Sequence, residues 1–282
     1  MSNSLDAYRA LLIALIAEGP FKVHYDSVAR QIGVRFEKDS NYSFDPLKLL
    51  RQTHELAHHV RRYLSAKLGS DIGINTVRAA LKEAALKNKV NPVWDYLSNV
   101  RWDQTPRVDN WLSTYLGVDE HPSNSRLGLR FLHNAIQCAK EQGESDCVLN
   151  FVHNTDSKDV NLAALFGQWH SDYPIVIGNK DLQLEVARSW AACVQGDLVA
   201  SPTIDNFLFA KTAQYREPGN DFLSSCRRNC VLYTNTRGTV EAIPFVIPVT
   251  LELKPLYQVR LMADRDQLWA EAMIKEHYYD YE

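Results

Sequence analysis

The chain has 282 residues, 45% of them hydrophobic and 23% charged, with a formal net charge of −3. That profile excludes disordered and fibrous classes, and the length permits one large or two smaller domains with real cores. The apolar run Leu11–Ala17 is short, has no basic leader and is followed by Glu18. It therefore reads as a buried helix rather than a secretory signal, and no stretch approaches the ~18 apolar residues of a membrane span. A cytoplasmic protein without a membrane partner is expected.

Charge is uneven along the chain. Residues 1–90 carry 14 Lys and Arg against 9 Asp and Glu, and the remainder carries 17 against 25. A basic N-terminal third keeps contact with nucleic-acid phosphate open. The odd set of cysteines, Cys138, Cys147, Cys193, Cys226 and Cys230, does not form a secreted disulfide framework. Cys226 and Cys230 lack the second ligand pair that a zinc site needs.

Hydrophobic spacing predicts helices over Leu5–Ala17, Asp26–Ile32, Pro46–Leu68 and Thr76–Lys89, with Gly33, Gly69 and Gly73 as stops. This makes residues 1–90 a basic helical module. Within it Ser27–Val34 has the small-residue and glycine spacing of a helix-turn-helix turn, but the sequence after it is polar loop, so a plain helical turn is the reading. Asn91-Pro92 breaks the chain. Two short helices around a turn at Asp103–Pro106 are expected between Trp94 and Leu116, and a further helix over Leu127–Cys138.

The texture then changes. Cys147–Val152 reads as a strand, followed by a polar turn and a helix at Asn161–Phe166, the opening unit of an α/β domain. Tyr173–Ile177 is a candidate strand, Lys180–Arg188 a helix and Ser189–Val199 an apolar run. Cys230–Tyr233 and Ile243–Val249 are further strands, and Asp264–Tyr278 is an amphipathic closing helix.

Three segments carry a resemblance. Asn91-Pro-Val-Trp-Asp-Tyr-Leu97 with Arg101-Trp-Asp103 and Thr105-Pro-Arg107, then Trp111–Gly117, then Asp266–Ala272, resemble the virulence-associated E family of phage and pathogenicity-island proteins. Gly178-Asn-Lys-Asp181 is similar to a further family segment. The resemblance implies an α/β fold, a P-loop NTPase-like domain related to superfamily-three-type helicases over residues 91–282, preceded by the small helical domain. It also implies ATP and magnesium as cofactors, DNA as a partner, helicase- or primase-type replication proteins beside it, and a homo- or hetero-oligomer.

The chemistry must be carried residue by residue. A phosphate-binding loop uses glycines to expose backbone N–H groups, a Lys for the phosphate oxygens and a Ser or Thr for magnesium. The segment after the first strand of this domain, His153-Asn-Thr-Asp-Ser-Lys-Asp-Val160, has no glycine. Ser157 and Lys158 are its candidates, with Asp156 and Asp159 adding negative charge beside them. An acidic pair should follow on another strand, but Cys193 and Gly196 stand there and only Asp197 remains. Tyr215-Arg216, with Pro218 and Gly219, is similar to the family's arginine-bearing loop, and Asn235 in Thr234-Asn-Thr236 to a polar sensor. Arg227 or Arg228 precedes that strand. The expectation is an ATPase-type domain that has lost hydrolysis and acts by binding DNA or as an inactive subunit; an active DNA-dependent ATPase using an atypical loop is the alternative.

A competing motif is His54-Glu-Leu-Ala-His58, which matches H-E-x-x-H and would make Glu55 the base of a zinc hydrolase, with Glu83 as a possible third ligand. Neighbouring Arg51, His59, Arg61 and Arg62 favour instead a polar helix face suited to contact with DNA phosphate or with the C-terminal domain. Trp94, Trp102 and Trp111 lie near Arg101 and Arg107 as stacking candidates, but their helical spacing favours core roles.

Overall fold

A computed structural model of the chain describes residues 2–19, 21–36, 49–140, 147–153, 160–176, 178–179, 184–195, 210, 212–216, 223–237, 246–249 and 255–279. They fall into two compact units, one built on Met1–Asn91 and one on Pro92–Arg216 with Leu223–Glu282.

In the first unit, helices α1 (Ser2–Ala17), α2 (Leu49–Leu68) and α3 (Ile74–Lys87) accompany a small sheet of β1 (Phe21–Asp26), β2 (Gln31–Phe36) and β3 (Lys89–Val90). Its order is β2-β1-β3, antiparallel between β1 and β2 and parallel between β1 and β3. The helix expected over Asp26–Ile32 is instead a hairpin. Asp26 Oδ1 accepts from both Val28 N and Ala29 N at 2.9 Å, fastening a turn where a helix would have started. Val23 on β1 and Ile32 on β2 are buried on one face of this hairpin, so Ser27–Val34 spans a β-turn and a strand rather than a helix-turn-helix. The remaining core comes from helix faces: Leu12 and Ile16, Ala57, Val60 and Leu64, then Val77, Leu81 and Ala84.

The second unit opens with α4 (Pro92–Asn99), a 3-10 turn at Val108–Asn110 and α5 (Trp111–Leu116). Gly117 stops α5 in the left-handed region at φ 65°, returning its N–H to Leu112 O and Ser113 O. Helix α6 (Pro122–Ala139) starts five residues before its expected position because His121 caps it and Pro122 occupies its first turn. Strands β4 (Leu149–His153), β5 (Ile175–Val176), β6 (Ala191–Gln195), β9 (Val231–Arg237) and β10 (Val246–Val249) form one parallel sheet in the order β10-β4-β9-β6-β5. The expected helix at Asn161–Phe166 is only the four-residue α7 (Ala163–Phe166), continued by a 3-10 turn to Trp169. A 3-10 turn at Leu184–Ala187 is the described part of the helix expected at Lys180–Arg188.

Strands β7 (Thr212–Arg216) and β8 (Leu223–Arg227) pair antiparallel with Arg216 opposite Leu223, so Tyr215 and Arg216 of the expected arginine-bearing loop end a strand, while Pro218 and Gly219 lie outside the described residues. The closing helix α8 (Pro255–Tyr279) begins nine residues earlier than expected. Val186, Ala187, Ala192, Val194, Ala213 and Leu232 pack together on one face of the sheet. Toward the helices, Trp190 and Trp269 lie 4.6 Å apart centroid to centroid, with Phe166 edge-on to both. Their indole N–H groups are spent on Ala135 O and Leu165 O. Among the described residues no helix is long and apolar enough to cross a membrane.

Candidate functional site

In an open parallel sheet, ligands gather outside the carboxyl ends of strands where the connections change direction. Here that place is the end of β4, which lies inside the sheet between β10 and β9 while β5, the next strand in sequence, sits at the far edge. The chain leaves β4 at His153 and returns to description at Val160. Ser157, Lys158 and Asp197, three of the residues expected to serve nucleotide, lie outside the described residues. So do Lys180 and Asp181 of the similar family segment.

Asn235 is described, and it is committed. Its Oδ1 accepts from Val160 N and its Nδ2 donates to Val160 O, both at 2.9 Å, so the side-chain amide pairs with a main-chain peptide as another strand would. The same Nδ2 donates to Cys193 Sγ at 3.3 Å. Cys193, where an acidic residue was expected, is therefore a partner of the would-be sensor and offers no carboxylate to a divalent ion.

Tyr233 shares the Asn235 face of β9, two residues earlier. Its hydroxyl accepts from Leu162 N at 3.1 Å and lies 3.0 Å from His170 Nε2. Burial, reinforced by Cys193, holds the phenol well above its ordinary range, and burial also pushes His170 down, favouring the neutral ring that can accept the phenol proton. Asn161 Oδ1 takes the next amide, Ala163 N, at 2.8 Å. Thus Val160, Leu162 and Ala163, whose N–H groups leave the loop toward α7, all donate to protein oxygens. Among the described residues, then, these three amides are satisfied, a thiol stands at the position expected to be acidic, and α7 is a single turn.

The three segments of family resemblance meet each other rather than this place. Tyr96 donates to Asp266 at 2.6 Å, and Gln267 accepts from Asp103 N at 2.7 Å while donating to Arg101 O. Glu271 is 1% exposed and accepts from Arg107 N at 2.6 Å and Val108 N at 3.0 Å. Tyr115 reaches Asp264, and Lys275 bridges Asp109 and Glu271. Asp103 grips Arg107 through both oxygens at 2.8 Å, which holds its carboxyl well below the usual range. These residues lock the turn after α4 onto α8.

The stacking candidates join the same scaffold. Trp111 is fully buried against Phe131, Trp102 donates to Thr105 O, and Lys140 lies over the Trp94 ring. Arg216 ends β7, and Arg228 is buried just before β9, where burial lowers its pKa. His54, Glu55 and His58 fall on α2, while Glu83, the suggested third ligand, is held by Arg9 at 2.8 Å and Lys87. Among the described residues no three metal-ligating side chains cluster. Tyr233, His170 and Glu271 were not singled out by sequence; the two-residue spacing of Tyr233 from Asn235 was the available signal.

Three comparisons bear on this arrangement. The profile of the virulence-associated protein E-like domain matches residues 97–281. No curated protein matches the chain. Solved structures of the NrS-1 C-terminal region share its fold: the A form apo structure superposes with a TM-score of 0.53 at 12% identity, covering 93% of this chain and 68% of that one. An apo structure of NrS-1 residues 305–718 gives 0.51 at 10%, and its A form 0.51 at 9%, with the same coverage.

Proposed function

The chain belongs to the virulence-associated protein E-like domain family, and on that footing we propose that it is a replication-associated protein of a mobile element that has lost ATP hydrolysis and works by binding DNA. It does so alone or as an inactive subunit beside helicase- or primase-type proteins. One observation carries this reading: Asn235 spends both ends of its amide on Val160, and the following amides of Leu162 and Ala163 are likewise taken. A phosphate-binding loop works by leaving such N–H groups free and pointed at the ligand. With Cys193 at the acidic position, magnesium has no carboxylate there among the described residues.

The DNA half of the reading is supported by the excess of basic residues over residues 1–90. The experiment is calorimetric titration with ATP and magnesium, with single-stranded DNA present and absent. Absence of nucleotide heat together with DNA binding is the expected outcome. Micromolar ATP binding that disappears in Lys158→Ala would mean that the loop is a working site and would overturn it.

A further inference from the structure

Helix α2 has a face turned away from the core of its own unit. Over Leu49–Leu68 it carries Arg51, Arg61, Arg62 and Lys67 against one carboxylate, Glu55, which lies one turn before His59. Ala57, Val60 and Leu64 are at most 1% exposed and turn to the core. His59, Arg62 and Ala66 follow the opposite line of the helix and are exposed, with Lys67 exposed at its flank. We propose that His59, Arg62 and Lys67 form a surface that binds the phosphate backbone of nucleic acid. The proposal rests on the DNA-binding reading above and names where the contact is made.

Two adjacent arginines make the argument. Arg61 is structural: its Nε donates to Ile72 O at 2.7 Å and its Nη2 to both oxygens of Asp71 at 2.8 and 2.9 Å, so its charge is compensated and its fork is fixed. Arg62 turns the other way and bonds His59 Nδ1 at 2.9 Å. A guanidinium can only donate, so Nδ1 is the acceptor and the ring proton sits on Nε2 as a further donor. This pairing orients both groups without neutralising the charge. Lys67 Nζ lies 6.0 Å from the centroid of the Tyr63 ring, a contact that likewise leaves its charge intact. From His59 to Lys67 the helix rises about 12 Å, and over that length one strand of a duplex presents three to four phosphates, at about 3.4 Å of axis each. Three oriented donors at this spacing suit a polyanion of regular charge better than an isolated anion.

The test is the salt dependence of DNA affinity of the full chain, measured by fluorescence anisotropy on a labelled single strand and its duplex. Neutralising Arg62→Gln with Lys67→Gln removes two phosphate contacts, and the log–log slope should fall by about 1.8 on duplex and about 1.4 on single strand, which tells the two forms apart. Arg61→Gln removes one positive charge beside Arg62, half the charge change of the double variant; it should lower the melting temperature and leave the slope as in the parent. Arg62→Lys keeps the charge and should keep the slope, which guards against a folding defect in the glutamine variants. If the parent binds DNA and the double variant retains the parent slope, the surface is refuted while the DNA-binding reading stands. If the parent binds neither form at about 50 mM salt, both fall. If polyglutamate competes as well as DNA at equal charge, the assignment to nucleic acid is overturned.

Discussion

Asn235→Ala removes the side chain that fastens both the N–H and the C=O of Val160 to the sheet. Val160 is 2% exposed, so both its N–H and its C=O lose their partners where water reaches them poorly. Each buried main-chain group left unpaired costs about 1–3 kcal/mol, and with partial relaxation the pair amounts to about 3 kcal/mol. For a domain of this size that is a melting-temperature drop of about 6–12 °C. Locally it is roughly a hundredfold faster hydrogen exchange at the Val160 amide. Asn235→Asp keeps an acceptor for Val160 N but turns a carboxylate oxygen toward Val160 O, so it should rescue little. Scanning calorimetry and exchange measured by mass spectrometry on both variants decide the matter. A drop below about 2 °C with unchanged exchange would show that Asn235 does not hold this segment, and the amides would again be available to a ligand.

Glu271→Ala should destabilise by about 3 kcal/mol, because it strips the acceptor from Arg107 N and Val108 N, whereas Glu271→Gln keeps an acceptor and should lose less than half of that; equal losses in urea unfolding would assign the effect to the charge pair with Lys275. Gly128→Ala places a Cβ 2.5 Å from Trp111 Nε1 and 2.9 Å from Leu112 Cδ1. Since Trp111 is fully buried, overpacking of about 1–3 kcal/mol is expected, and a parent-like melting curve would contradict the packing described here. The Asp103 carboxyl is held down by Arg107, so its stabilisation is present above about pH 4 and is lost as the pH falls through that value toward the folded pKa. The gap in urea midpoint between parent and Asp103→Asn should therefore narrow on acidification, and a gap constant with pH would remove the ion pair as its source.

The α/β alternation was legible because strands such as Cys147–Val152 and Cys230–Tyr233 are continuous apolar runs, as a sheet covered on both faces requires. Family membership was legible for a different reason. Tyr96, Asp103, Arg107, Asp264, Gln267 and Glu271 interlock two stretches about 165 residues apart, and residues bound to one another by geometry leave a pattern that a reader of sequence can recognise without knowing its purpose. Those residues hold a helix in place.

Other features were open until the chain folded. Over Asp26–Ile32 helical spacing and a turn-forming aspartate are both written in the same short stretch, and the hairpin forms because Asp26 accepts from Val28 N and Ala29 N. Arg61 and Arg62 are identical in sequence terms, yet one is locked to Asp71 and the other faces outward, because a helix turns 100° per residue. Sequence alone determined that the loop after β4 lacks glycine and that Cys193 stands where an acid was expected. Only tertiary structure decided that Asn235, Tyr233 and Asn161 fill the hydrogen bonds of the residues that follow, since those partners come from β9 and from a turn whose neighbours are set by strand order, not by position in the chain.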